Sequence, residues 1–243
     1  MSVSPKPSRR RRQESSSDRN LDDESVIGSS VSLRDKVFDL KKEEILRVAG
    51  ELFFFKGYTH TSLDDIASEL RIGKPLIYAC FPSKTALLAE VCTRTTITTA
   101  EIAAGNLKKS ASPTERLRHT VREVTNRVIE GRINLGVLFR EVKHLPPEAV
   151  QELSRSFHLF NHSLQQLLEE GVQAGEFSIS DEGTVTLAIS GMMTWIYSWY
   201  RPEGRLNPDQ VADQMAQLAL RMVGAHAEGG AQMSSPISTD AGI

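Results

Sequence analysis

Residues 61–81 contain the most informative pattern in the chain. This stretch reads Thr61-Ser62-Leu63-Asp64-Asp65-Ile66-Ala67-Ser68-Glu69-Leu70-Arg71-Ile72-Gly73-Lys74-Pro75-Leu76-Ile77-Tyr78-Ala79-Cys80-Phe81. Its first apolar residues follow the spacing i, i+3, i+4, i+7 of one face of an amphipathic helix; they are Leu63, Ile66, Ala67 and Leu70. Thr61 and Ser62 precede this run, and Asp64 and Asp65 follow three residues beyond each, which is typical of a capped helix N-terminus. The pattern predicts a short helix over residues 63–70.

A second short helix is predicted over residues 74–80, after a tight turn at Arg71 and Ile72. Pro75 suits the first turn of this helix, because the N–H that proline lacks would have no partner there. The residues expected to face inward are Ile72, Ile77 and Phe81. Two short helices joined by a tight turn and packed on a preceding helix make a helix-turn-helix unit, whose second helix fits the major groove of DNA.

Helical patterns continue on both sides of this pair. The apolar stripe of the preceding helix consists of Ile45, Ala49, Leu52 and Phe53. Gly57 supplies its C-terminal stop. Downstream, Pro82 breaks the chain and Ser83 caps a helix that runs to about Leu107. Further helical patterns cover residues 113–130, 135–143, 146–174, 181–200 and 207–223. No period-2 pattern of a strand interrupts them, so the predicted fold class is all-α: a three-helix helix-turn-helix unit followed by a larger helical bundle.

The composition of the chain excludes several classes of protein. The 243 residues carry a net charge of −2, with 40% hydrophobic residues. No apolar run reaches the roughly 20 residues of a membrane-spanning helix, and the first 30 residues are polar, so we expect a cytoplasmic protein without a membrane partner. Two cysteines are too few for a disulfide framework or a four-ligand zinc site.

Both ends of the chain are expected to be disordered. Residues 1–36 form a Ser-rich arm whose first twenty positions hold six Lys and Arg against two acidic residues. Such an arm either binds phosphates loosely or is a solvated tail without a task. Residues 226–243 are rich in Gly, Ser and Ala. The expected folded domains are therefore residues 37–84, the DNA-binding domain, and residues 85–225, the bundle.

The predicted helix-turn-helix unit strongly resembles the DNA-binding domain of the TetR (tetracycline-repressor) family. The residues that carry the resemblance span Ile45 to Leu88; besides the apolar positions above they include Gly57, Tyr58, Thr61, Ser62, Asp65, Gly73, Lys74, Pro75, Tyr78, Lys84 and Leu87. The resemblance implies that Lys74, Leu76 and Tyr78 meet bases or backbone of DNA, together with Gly73 and Pro75 at the start of the helix. It implies phosphate contacts for Thr61, Ser62 and Lys84, although helix capping alone also explains Thr61 and Ser62.

Two positions depart from the family pattern. Arg71 stands in the turn where the family commonly has glycine, so an arginine has to adopt a left-handed conformation unless the turn differs. Gly73 replaces the serine that often opens the recognition helix. These changes bear on base preference and leave the fold prediction unchanged.

The bundle resembles the second domain of TetR regulators of fatty-acid and steroid catabolism, several of which respond to acyl-CoA thioesters. The Trp199-Tyr200-Arg201-Pro202-Glu203-Gly204 segment and Phe139-Arg140-Glu141 carry this likeness. A ligand cavity is expected from Phe139, Arg140, Phe157, Phe160, Met192 and Trp195. Arg140, Arg201 and Arg205 are candidate phosphate partners. The aromatic residues also suit a plain hydrophobic core.

The expected partners are a palindromic DNA operator, a small hydrophobic effector and a second copy of the chain. Residues 181–200 are apolar on more than one face, and with residues 207–223 they are expected to form a four-helix dimer interface. The sequence thus predicts a ligand-released repressor that senses an acyl-CoA or related thioester.

Other classes of function are weighed against this prediction. One alternative is a TetR-type regulator of another hydrophobic ligand, of the efflux or drug type. Another is a helical enzyme or metal-binding protein, to which His158 and His162, four residues apart, lend little support. No catalytic motif or nucleotide-binding loop is present in the sequence, so we expect no enzyme, no metal and no cofactor.

Overall fold

The computed structural model describes Met1 and residues 24–225, which contain ten α-helices, one short 3-10 helix and no strand. The α-helices are α1 Glu24–Phe55, α2 Leu63–Leu70, α3 Lys74–Cys80, α4 Lys84–Leu107, α5 Pro113–Glu130, α6 Arg132–Glu141, α7 Pro147–Gln173, α8 Glu182–Thr194, α9 Ile196–Trp199 and α10 Pro208–Met222. The 3-10 helix Val142–His144 follows α6. The all-α fold class is confirmed.

The first helix begins much earlier than the sequence predicts. Because α1 starts at Glu24, the structure places residues 24–36 in this helix, where the sequence predicts a disordered arm. No proline occurs between Pro7 and Pro75, and a helix that has nucleated gains one hydrogen bond with each added residue. The basic residues of the arm and the tail 226–243 lie outside the described residues.

Two compact units divide the chain between Glu43 and Glu44. The first unit contains the N-terminal part of α1. The second contains the helix-turn-helix unit and the bundle together, with α4 packed against α5, α6 and α7, and α10 packed against α5. One hydrophobic core runs through this second unit from Ile45 to Val223. The boundary expected between residues 84 and 85 therefore falls inside a continuous core.

The turn between α2 and α3 depends on an arginine in a left-handed conformation. Arg71 ends α2 with φ 53° and ψ 41°, and its N–H donates to the carbonyls of Ala67 and Ser68. At the start of α2, Ser62 and Asp65 form a capping box in which each side chain accepts from the backbone N–H of the other. Beneath the turn, Ile66 and Ile77 are fully buried. The expected inward positions Ile77 and Phe81 are confirmed as buried, and Ile72 packs on the core half-buried.

Helix boundaries in the bundle follow the sequence pattern with one break. The predicted helix 181–200 is interrupted at Trp195 and divides into α8 and α9. The Ser198 hydroxyl donates to the Trp195 carbonyl at 2.9 Å, and a serine that bonds the backbone in this way competes with the regular helical ladder. Among the residues that the structure describes, no helix has both the length and the apolar character needed to cross a membrane.

We predict that Arg71→Gly stabilises the protein by about 1 kcal/mol, because glycine adopts positive φ without the steric cost that a Cβ imposes. The change is measured as the free energy of unfolding in urea. Arg71→Ala keeps the Cβ and removes the charge, so this control variant should gain nothing. Equal stability of the glycine and alanine variants would contradict the assigned strain.

Candidate functional site

One face of α3 is free of the core and carries the expected DNA-contacting side chains. Lys74 and Tyr78 lie four residues apart on this face, both are exposed, and Tyr78 retains 52% of its accessible surface. Pro75 is also exposed, whereas Leu76 is half-buried. Gly73 caps the helix with φ −79°, an ordinary conformation, and gives no side-chain cap. The helix therefore offers an ammonium and a phenol to a partner.

A carboxylate of α2 already binds the Lys74 ammonium. Lys74 Nζ lies 2.6 Å from Asp64 Oδ2, and both side chains are open to solvent. The hydrogen bond to Asp64 raises the pKa of Lys74, so the ammonium stays charged. Asp64 thus competes with any anion that approaches Lys74. The sequence indicates Asp64 as part of the capping pattern at the start of α2, but it does not indicate the ion pair with Lys74.

The N-terminus of α2 is held by a second ion pair. Asp65 accepts from Lys56 at 2.9 Å and from the Ser62 hydroxyl at 2.7 Å. These bonds, that from Lys56 foremost, hold the pKa of Asp65 well below its usual range. Because the pKa is lowered on folding, this interaction stabilises the protein above the ordinary pKa of aspartate and is lost as the pH falls through the folded-state value. Ser62 is exposed, but its hydroxyl is engaged in the cap.

The structure corrects the role expected for Thr61. Its side chain is 1% exposed, and its hydroxyl donates to the carbonyls of Gly57 at 2.9 Å and Leu52 at 3.3 Å. A buried hydroxyl with backbone partners has no reach to a phosphate. Thr61 therefore fastens the loop after α1, and the capping task that the sequence shared between two residues belongs to Ser62 alone.

Lys84 lies at the start of α4 in a cluster that the sequence did not indicate. Its Nζ sits 4.2 Å from the centre of the Tyr58 ring. Burial lowers the pKa of Lys84, while the carboxylates of Asp65 and Glu141 oppose that shift. Glu141 Oε1 accepts from the Tyr58 N–H at 3.4 Å, and the His144 ring lies 5.2 Å from that of Tyr58. The end of α6 thereby contacts the helix-turn-helix unit directly.

An inner cavity of about 300 Å³ lies in the bundle. Its walls include Thr95, Thr96 and Thr99 of α4, and Phe157, Phe160 and Asn161 of α7. The predicted ligand residues Phe157 and Phe160 thus reach a cavity. No lining residue carries a charge, and the Ser190 hydroxyl donates to Asn161 Oδ1 at 2.8 Å. The threonine-rich wall of α4 has no counterpart among the residues that the sequence predicts for the ligand cavity.

Two further cavities lie beside the inner one, and neighbouring cavities share lining residues. The middle cavity, about 430 Å³, shares Phe157 and Asn161 with it and also contacts Phe139 and His158. The arginine cavity, about 640 Å³, shares Phe139 with the middle cavity. Its basic lining residues are Arg132, Arg140 and Arg201. Within residues 24–225 and Met1, no three His, Cys, Asp or Glu side chains form a metal-binding group.

Two predicted ligand residues lie elsewhere than expected. Met192 and Trp195 line none of the three cavities; Trp195 is 60% exposed, and the neighbouring Met193 lines the inner cavity instead. Successive residues of a helix point about 100° apart, so a shift by one residue changes the face.

Arg140 lines the arginine cavity and also caps the C-terminal end of α1. It donates to the carbonyls of Phe53 and Phe54, and its guanidinium lies 4.6 Å over the Phe54 ring.

Comparison with known proteins identifies both parts of the chain. Residues 45–91 match the family described as bacterial regulatory proteins, tetR family, and residues 110–223 match the tetracyclin repressor-like C-terminal domain. Two curated relatives are the HTH-type transcriptional regulators YerO and YuxN of Bacillus subtilis (strain 168), 44% identical over 52 residues and 48% over 48. The matches cover 21% and 20% of this chain and only 18% and 16% of these relatives.

Solved structures extend the likeness over most of the chain. A transcriptional regulator of the TetR/AcrR family from Thermobifida fusca YX-ER1 is 33% identical with a TM-score of 0.59, covering 74% of this chain and 96% of that one. The chain belongs to the TetR family. The TetR-family regulator PfmR of Thermus thermophilus is 28% identical with a TM-score of 0.66, covering 73% and 97% of the two chains. AibR, solved in complex with isovaleryl coenzyme A and operator DNA, is 25% identical with a TM-score of 0.62, covering 76% and 99%.

For this TetR-family member, we predict that Asp64→Asn raises the affinity for operator DNA about two- to fivefold, because it releases the Lys74 ammonium from an exposed ion pair. Fluorescence anisotropy at fixed salt, on an operator selected from a random DNA library, measures the change. Glu148→Gln removes an exposed acid from the first turn of α7 and should leave the affinity unchanged. An Asp64→Asn affinity equal to that of the wild type would show that the ion pair does not compete with DNA.

Proposed function

We propose that this TetR-family protein is a dimeric, sequence-specific DNA-binding repressor that an acyl-CoA or related hydrophobic thioester releases from its operator. The exposed face of α3 supports the proposal of DNA binding. Lys74 and Tyr78 are exposed on this face, while Ile77 anchors the helix to the core from the other side. A helix held in this way enters the major groove with its polar residues toward base edges and phosphates.

Dimerisation is supported by apolar side chains left exposed on the outer bundle helices. Leu187 and Trp195 belong to α8 and its end, and Leu218 and Met222 belong to α10; each is at least 43% exposed. The opposite side of α8 buries Ile189 and Met193 completely in the core. A helix that is apolar on both sides suits a second copy of the chain. Two protomers related by a twofold axis match a palindromic operator with half-sites about one helical turn apart.

The proposed effector class rests on the cavities and on one relative. AibR, similar to this chain across most of its length, was solved with isovaleryl coenzyme A and operator DNA. The inner cavity of this chain is uncharged and suits the acyl part of such a ligand. A free fatty acid would bring its carboxylate into a cavity without a cation, which is costly, whereas a thioester is neutral at that position.

The DNA-binding proposal predicts that Lys74→Ala and Tyr78→Ala each lower operator affinity at least about tenfold, because each removes a side chain that contacts DNA. Anisotropy titrations at several salt concentrations measure affinity and salt dependence. Lys108→Ala, at the opposite end of α4, is the matched control with unchanged affinity. Undiminished DNA binding by both α3 variants would contradict the assignment of Lys74 and Tyr78 as DNA contacts.

The effector proposal predicts that acyl-CoAs of graded chain length dissociate the operator complex, while free fatty acids of the same lengths do not. A gel-shift titration measures the released DNA. If acyl-CoAs leave the complex intact and another hydrophobic compound abolishes it, the regulator senses a different ligand class.

A further inference from the structure

The arginine cavity is lined by more positive than negative side chains. Arg132, Arg140 and Arg201 line it, and Glu203 is the single acidic residue among the lining side chains. Across the described part of the chain, none of these three arginines has a carboxylate within ion-pair distance. The cavity, of about 640 Å³, therefore has three guanidinium groups against one carboxylate, and this excess of positive charge favours an anionic ligand.

The bonds that the arginines do make orient them and leave most of their donors free. Arg132 Nη1 donates to the Ile129 carbonyl at 3.4 Å, and Arg201 Nη1 donates to those of Ser198 at 3.1 Å and Tyr200 at 2.9 Å. Each bond uses one nitrogen of a group that carries five N–H donors. Guanidinium forks held in place by backbone carbonyls are suited to phosphate oxygens, which they bind through two parallel bonds.

Aromatic rings form the remaining walls of the arginine cavity. Phe139 stacks on Tyr197 with ring centres 4.9 Å apart and an interplanar angle of 13°. Phe54 lies beneath the Arg140 guanidinium, and it reaches this position because residue 136 is glycine: a Cβ there would clash with the Phe54 ring. Flat apolar walls beside fixed positive charge suit a planar base that carries phosphates.

The arginine cavity also neighbours the other two cavities through shared lining residues. Phe139 lines both the arginine cavity and the middle cavity, and Phe157 and Asn161 line both the middle and the inner cavity. One outer member of the three is thus cationic and aromatic, and the other is uncharged and mainly apolar. A ligand that spans all three is elongated, with a phosphorylated nucleotide at one end and an acyl chain at the other.

We propose that the arginine cavity binds the phosphate-bearing nucleotide end of the effector, with Arg132 and Arg201 as its phosphate ligands. The effector class rests on the proposed function, but the site itself depends only on the residues that line it. Arg205 is four residues beyond Arg201, is exposed, and lines none of the three cavities. Arg205 is therefore a matched control, and we do not include it among the phosphate ligands of the arginine cavity.

Titration calorimetry with free coenzyme A, which has the nucleotide and no acyl chain, tests the site directly. Arg132→Gln and Arg201→Gln should each weaken coenzyme A binding about tenfold, because each removes a charge-assisted contact. Arg205→Gln should stay within twofold of the wild type, and Arg201→Lys should recover part of the loss. Without ligand, operator affinity and melting temperature should be unchanged in all variants, which separates this site from a DNA-phosphate contact and from a folding defect.

An acyl N-acetylcysteamine thioester, which has the acyl thioester and no nucleotide, should bind the wild type and both glutamine variants alike. The proposal is overturned if coenzyme A does not bind the wild type, or if it binds Arg132→Gln and Arg201→Gln as tightly as the wild type. If these variants respond to acyl-CoA normally, the site is wrong and the effector class stands. If neither thioester releases the operator, the effector class is wrong, and the coenzyme A titration still decides the site.

Discussion

Helix α4 is buried in two places along its length, and this burial ties the helix-turn-helix unit to the bundle. Leu87 and Leu88, in the first turn of this helix, are fully buried in the core that also holds α2 and α3. Farther along the same helix, Thr95, Thr96 and Thr99 form a wall of the inner cavity. With a rise of 1.5 Å per residue, about 18 Å of continuous helix separates Leu87 from Thr99. The DNA-facing unit and the cavity are thus attached to one rigid element.

A second connection joins the same two regions through α6. Leu138 and Phe139 face the middle cavity, while Glu141 at the end of that helix accepts the Tyr58 N–H and His144 lies against the Tyr58 ring. A displacement of α6 therefore reaches Tyr58 and, through its ring, Lys84 at the start of α4. A ligand acts on DNA binding through these contacts only by the difference between its affinities for the two arrangements, and a few kcal/mol is enough.

The helix-turn-helix unit was predictable because its determinants are local in sequence. A cap at Ser62, the proline of α3 and the left-handed Arg71 each act within a few residues, and each is present in the structure. Which residues line the cavities depends instead on packing between helices that are far apart in the sequence. The aromatic character of Phe157 and Phe160 is enough to predict that they line a cavity. The sequence favours Met192, however, and the structure has Met193 in the cavity wall. The partners of Arg140 are 86 and 87 residues away, beyond the reach of any sequence spacing.

We propose that an effector releases DNA by changing the spacing of the two recognition helices of the dimer, and the distance between those helices in solution tests this mechanism. A spin label on Ala79→Cys, at an exposed position of α3, is introduced with Cys80 and Cys92 replaced, and electron–electron double resonance measures the distance between protomers. With operator DNA bound, we expect one distance near a helical turn of DNA, about 34–36 Å. Saturating effector should shift that distance by several ångström. An unchanged distance at effector concentrations that release the DNA, or no distance between protomers at all, would contradict the proposed mechanism.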